Sequence, residues 1–123
     1  MMRALFASLA LATSLASAIA HEQRVGPRGG ALIDVGSYHV ELVTREKAVE
    51  IFVSDQNDKP LPAAGFKALA ILAVSGKSVR VTLDPAPDGA RLVGSAAEPL
   101  PARVKGAVQL TGGDGKTSTG RIN

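Results

Sequence analysis

The chain has 123 residues, 46% of them hydrophobic and 20% charged, with one Tyr, three Phe and no Trp. That length makes one domain, whose core must come from Val, Leu, Ile and Ala, and it offers no aromatic platform for stacking bases or sugars. Fourteen Lys and Arg against eleven Asp and Glu give a formal charge of +3 spread along the chain; without a basic stripe, nucleic acid is not an expected partner. The absence of Cys removes disulfides, thiolate metal sites, iron–sulfur clusters and Cys nucleophiles together.

Residues 1–20 read as a secretory signal peptide: Arg3 supplies a positive end, residues 4–12 are almost uninterruptedly apolar, and Ala18-Ile19-Ala20 has the small-x-small pattern of a cleavage site. The apolar run is shorter than the roughly 20 residues needed to span a bilayer, and no second run follows. The expected mature protein therefore has no membrane span and is periplasmic or secreted. Cleavage after Ala20 makes His21 the first residue, and a competing cut after Ala18 leaves Ile19 there. Residues 21–29 are expected to form an N-terminal extension, and residues 30–123 the folded domain.

From residue 30 onward apolar residues alternate with period two between clusters of Gly, Pro, Asp and Asn, with no helical stretch. Gly36-Ser37 is a Gly-first two-residue loop of the type II′ kind; it pairs Val35 with Tyr38, Ile33 with Val40 and Ala31 with Leu42. Continued into residues 48–55, this register sets Leu42 beside Val49, Val40 beside Ile51 and Tyr38 beside Val53. A Gly76-Lys77 turn would pair Val74 with Val79, Leu72 with Val81 and Ala70 with Leu83. Residues 56–65 are long enough to carry the chain from one sheet to another. A short strand is expected over residues 90–94, an extended edge segment at the prolines of residues 98–101, and a final hairpin from residues 103–111 and 116–122. Seven or eight short strands in this length predict a small all-β fold, an immunoglobulin-like antiparallel β-sandwich; a small closed barrel is the alternative.

Chemistry-bearing residues are few. His39 falls on the face opposite the core, beside Asp34 on one side and Phe52 on the other, while Glu41 falls opposite Leu32 and Glu50. Two opposed carboxylates are unfavourable by a few tenths of a kcal/mol and are relieved by solvent, a nearby cation or a bound metal. An N-terminal His21 would offer its α-amine and a ring nitrogen as a chelate. With the His39 ring, that set suits Cu(II); Zn(II) would take the same nitrogens with Asp34 or Glu41. Against these stand a frayed tail at His21 and a surface hydrogen bond at His39. Gly26-Pro27-Arg28-Gly29-Gly30 invites a phosphate-loop reading, but no Lys-Ser/Thr and no helix follows, so a rigid lead-in turn is the better account. Ser37 and Ser54 have no evident base, and no catalytic triad is expected.

At Gly26-Pro27-Arg28-Gly29-Gly30 and Tyr38-His39-Val40-Glu41-Leu42-Val43 the chain resembles a small exported β-rich module found beside, or fused to, the membrane-fusion subunits of bacterial heavy-metal efflux pumps. The similarity runs from Gly26 to Ile122 and includes Asp58-Lys59-Pro60 and Leu83-Asp84-Pro85. His39 and Glu41 match, whereas members often carry His or Asn where this chain has Arg28. The resemblance implies a periplasmic protein linked to metal-ion homeostasis by location and association; joined to the chelate chemistry of His21 and His39, it gives the leading expectation of a non-enzymatic module that binds Cu(II) or another divalent ion weakly through those residues or accompanies an efflux-pump component. A looser likeness is to periplasmic copper-carrier proteins, matched only at His21 and in expected architecture. The rival expectation is a structural or protein-interaction sandwich that docks a partner by an exposed edge or its Phe52 face.

Overall fold

The computed structural model describes residues 24–123, so the expected signal peptide and His21 lie outside the described residues. Eight strands follow one another: β1 (Ala31–Val35), β2 (Tyr38–Arg45), β3 (Ala48–Ser54), β4 (Lys67–Val74), β5 (Lys77–Pro85), β6 (Leu92–Ser95), β7 (Lys105–Thr111) and β8 (Thr117–Ile122). They form one sheet of order β1-β2-β3-β6-β5-β4-β7-β8, with every neighbouring pair antiparallel. No helix of the described residues is long and apolar enough to cross a membrane.

The outer members of that order, β1 and β8, lie against each other. At Gly120 the approach is so close that a Cβ would meet the Asp34 carbonyl and stand 2.6 Å from Val35 Cγ2. The sheet thus rolls into a largely closed, barrel-like shell, which corrects the expected immunoglobulin-like sandwich. A sandwich needs two separately hydrogen-bonded sheets, whereas β6 here pairs with β3 through Ala48↔Ser95 to Ile51↔Leu92 and with β5 through Asp84↔Val93 and Pro85↔Leu92. This short strand stitches the two halves into one. Residues 56–65, expected to cross between sheets, instead carry the chain past the places that β5 and β6 later fill.

Alternation does the rest of the work. β3 and β4 bury every second residue, so Val49, Ile51, Ala70 and Leu72 point into the same interior as Val35, Val40, Leu83, Leu92 and Val108, all with no measurable exposure. Burying each large aliphatic side chain contributes about 1.5–3 kcal/mol, and this interior holds no aromatic ring at its centre. Tyr38 and Phe66 cap it, edge to face at 5.3 Å between ring centroids.

The β1–β2 register is the expected one throughout, from Ala31↔Leu42 to Val35↔Tyr38. Two other hairpins are slipped by two residues from expectation. Val40 pairs with Val53 and Leu42 with Ile51, around a Glu46-Lys47 turn; Leu72 pairs with Val79 and Ala70 with Val81, around Ser75-Gly76. Glu46 and Ser75 sit at φ 54° and 51°, a left-handed conformation costly for non-glycine residues. A two-residue slip keeps every side chain on its face.

Candidate functional site

The registers of β1, β2 and β3 set two rows across the outer face. Leu32, Glu41 and Phe52 form one, and Asp34, His39 and Ser54 form the next. Glu41 therefore faces Phe52, and Glu50 faces Val43 and Val93; the expected Glu41–Glu50 opposition does not exist. By parity both rows should be solvated. Glu41 is instead only 2% exposed, because the chain before β1 folds back over it.

That covering segment is a tight loop. Val25 bridges Ala31, Leu32 N donates to the Arg24 carbonyl at 2.9 Å, and Gly26 N and Gly29 N donate to the carbonyls of Gly30 and Gly26 at 2.9 and 3.0 Å. Its remaining donors turn inward onto one carboxylate. Glu41 Oε2 accepts from the backbone N–H groups of Arg28 and Gly30 at 2.9 and 3.0 Å, and Oε1 accepts from Arg28 Nη1 at 3.1 Å. Gly30 backs onto the Leu42 carbonyl so closely that a Cβ would collide with it, and a Cβ on Gly26 would stand 2.6 Å from Glu41 Oε2. The glycine-rich motif does cradle an anion, then, and that anion is the protein's own Glu41. Sequence reasoning missed this pairing; the signal was a carboxylate in mid-strand together with a run of N–H donors in need of a partner.

The Arg28 guanidinium continues from Glu41 over the Phe52 ring, its carbon 3.7 Å from the ring centroid, within range of a cation–π contact. In the next row the His39 Nδ1–H donates to Asp58 Oδ1 at 2.7 Å, and Nε2 lies 3.4 Å from Asp34 Oδ1. Asp34 also accepts from Arg24 Nη2 at 2.9 Å. Asp58, at φ 61°, is presented by a loop that Asp55 closes: Asp55 Oδ1 accepts from Asn57 N and Lys59 N at 2.8 and 3.0 Å. The chain is then pinned to β3 by Leu61 N donating to the Val53 carbonyl at 2.9 Å.

Between the two covering loops lies a pocket of about 350 Å³, walled by Pro27, Arg28, Leu32, Phe52, Asp58 and Pro60 among others. Most of its surface is apolar, with one cationic side chain, Arg28, and two anionic ones, Glu41 and Asp58, at its walls.

His39 occupies the outward face expected of it, partly covered. Its two ring nitrogens face carboxylates on different sides, so His39, Asp34 and Asp58 do not converge on a common point. Among the described residues no group of three His, Cys, Asp or Glu side chains is placed to hold a metal ion; His21, the other expected ligand, lies outside them. The same arrangement leaves no ring nitrogen as a base for Ser54, whose Oγ donates to the His39 carbonyl at 3.4 Å. No protein-family model, no curated protein and no solved structure matches the chain.

Proposed function

We propose that this chain is an exported, non-enzymatic interaction module that receives a partner on its Phe52 face. The observation that carries the reading is the construction of that face. A carboxylate is withdrawn from water at Glu41, at a desolvation cost of several kcal/mol, and its hydrogen bonds go to holding residues 26–30 as one wall of a surface pocket. A lead-in turn that served only to start β1 would need no such anchor. Export is supported by the signal-peptide pattern of residues 1–20.

A photoreactive amino acid tests the reading when placed at Pro27 or Pro60, both exposed at the pocket, and at Arg80, exposed on β5 away from it. Expressed in its own cells, the protein should crosslink to a discrete partner from positions 27 and 60 and not from position 80. Equal labelling from all three positions, or none from the first two, would overturn the assignment of this face.

A further inference from the structure

We infer that the wall formed by β5, β4, β7 and β8 lies on an anionic lipid bilayer, with its outward cations on the headgroups and the Phe52 pocket turned away from the membrane.

Charges that are interspersed along the chain are sorted by the fold. Strands β4, β5, β7 and β8 carry Lys67, Lys77, Arg80, Lys105 and Arg121 against Asp84 alone, whereas β1, β2, β3 and β6 carry Asp34, Glu41 and Glu50 against Arg45. The ion pairs follow the same division. Those among the described residues all take their carboxylate from Asp34, Glu41, Glu50, Asp58 or Asp88, on or next to β1, β2, β3 and β6. Lys67, Arg80, Lys105 and Arg121 are exposed and have no ion-pair partner among the described residues.

Register fixes their arrangement. Arg80, Ile71, Ala107 and Arg121 form one row across the outer face, and the two arginines stand three strands apart, about 14 Å. Lys105 lies opposite Ala73 in the next outward row on one side, and Lys67 lies two such rows away on the other. The cations thus frame a patch about 20 Å long at the strand rise. Within it lie Leu69, Ile71, Ala73 and Ala107, of which Leu69 and Ile71 are half-buried. Asp84 sits at the margin, where β5 meets β6 opposite Val93.

This two-dimensional frame selects among anionic partners. A linear polyanion is tracked by a positively charged groove with stacking aromatics, and these four strands carry no aromatic residue. A protein partner is held chiefly by a few residues, most often Trp, Tyr or Arg, packed near the centre of the interface. Here the centre is aliphatic and the arginines stand at the rim. A bilayer asks only for positive charge spread over an area, because each Lys or Arg near an anionic surface adds its own attraction, and the apolar centre can settle against the headgroup layer. In the ring of eight strands β2 and β4 stand four places apart, so the Phe52 pocket stays open to its partner.

Co-sedimentation of the exported protein with vesicles tests this, using phosphatidylcholine alone and equal parts of phosphatidylcholine and phosphatidylglycerol. The protein should partition about tenfold or more in favour of the anionic vesicles. That preference should hold at about 0.1 M salt and vanish at about 1 M, where the screening length falls from about 10 to about 3 Å. Arg80→Gln with Arg121→Gln should weaken partition about 25-fold, fivefold for each charge removed. Lys47→Gln with Lys59→Gln removes the same net charge from exposed positions in the β2–β3 turn and after β3; it should weaken partition by less than about threefold, since those charges lie off the wall. Arg80→Lys with Arg121→Lys should bind as the unaltered protein does, because a smeared surface charge does not read guanidinium geometry. All three variants should keep the β circular dichroism spectrum, as exposed substitutions do. Equal partition onto both vesicles, equal losses in the two Gln variants, or loss of binding in the Lys variant overturns the inference. Binding of soluble polyphosphate without binding of vesicles also overturns it, and would assign the wall to a free polyanion.

Discussion

Glu41 and Arg28 divide their work unevenly, and substitution should show it. Glu41→Ala strands two backbone N–H groups and releases the guanidinium, so it should cost about 3–5 kcal/mol, the range for breaking a buried pair. Glu41→Gln keeps an acceptor and should cost about 1–2 kcal/mol. Arg28→Ala removes a side chain that is 43% exposed but leaves its backbone donor in place; about 1 kcal/mol or less is expected once solvent screening is allowed for. Urea unfolding midpoints check the order, and a Glu41→Ala protein as stable as Arg28→Ala would show that loop 26–30 does not depend on the carboxylate. His39→Ala should change stability by less than about 1 kcal/mol, since its partners are exposed carboxylates; unfolding of that variant would mean the ring supports more than the Asp58 loop. Strand parity made the outward placement of His39 legible. The burial of Glu41 was hidden because its cover comes from residues before β1, and alternation along a strand carries no information about what another segment lays across it.

At the scale of elements, turn chemistry decided which registers could be read. Gly36-Ser37 has its glycine in the position that takes φ 59°, and the β1–β2 pairing followed residue for residue. Glu46-Lys47 offers no glycine or asparagine, and Ser75-Gly76 carries its glycine second, so the first turn was centred one residue early and the second one residue late. The core list survived those slips because the period of a strand is two. The β1–β8 seam had no such local signal. Among the described residues it has no ladder pairing, and it depends on Gly120 lying flush against the Asp34 carbonyl and Val35. Gly120→Val should wedge β8 from β1 and cost about 2 kcal/mol or more, within the range for overpacking, with amide exchange accelerated in β1 and β8 before the other strands. Unchanged protection along both strands would show that the seam is looser than its geometry implies.

For the whole molecule, the distinction between barrel and sandwich rests on four residue pairs at β3–β6 and two at β5–β6. Contacts so distant in sequence leave no trace in local patterning, which is why the all-β class and the strand count were legible and the closure was not. Native-state hydrogen exchange separates the architectures. A barrel sewn through β6 should lose protection in β3, β5 and β6 together as one cooperative unit, while a sandwich would release its two sheets independently.

Closure also gives the molecule an optical signature. Tyr38, at the start of β2, rests against Phe66, just ahead of β4, and in the strand order β2 and β4 stand four places apart whichever way the ring is followed. The chain has no tryptophan and only this tyrosine. Its tyrosine-band dichroism and tyrosine emission therefore come from one chromophore seated on a contact that spans the barrel. A spectrometer reading Tyr38 reports, without any added label, whether opposite walls of the shell are in touch.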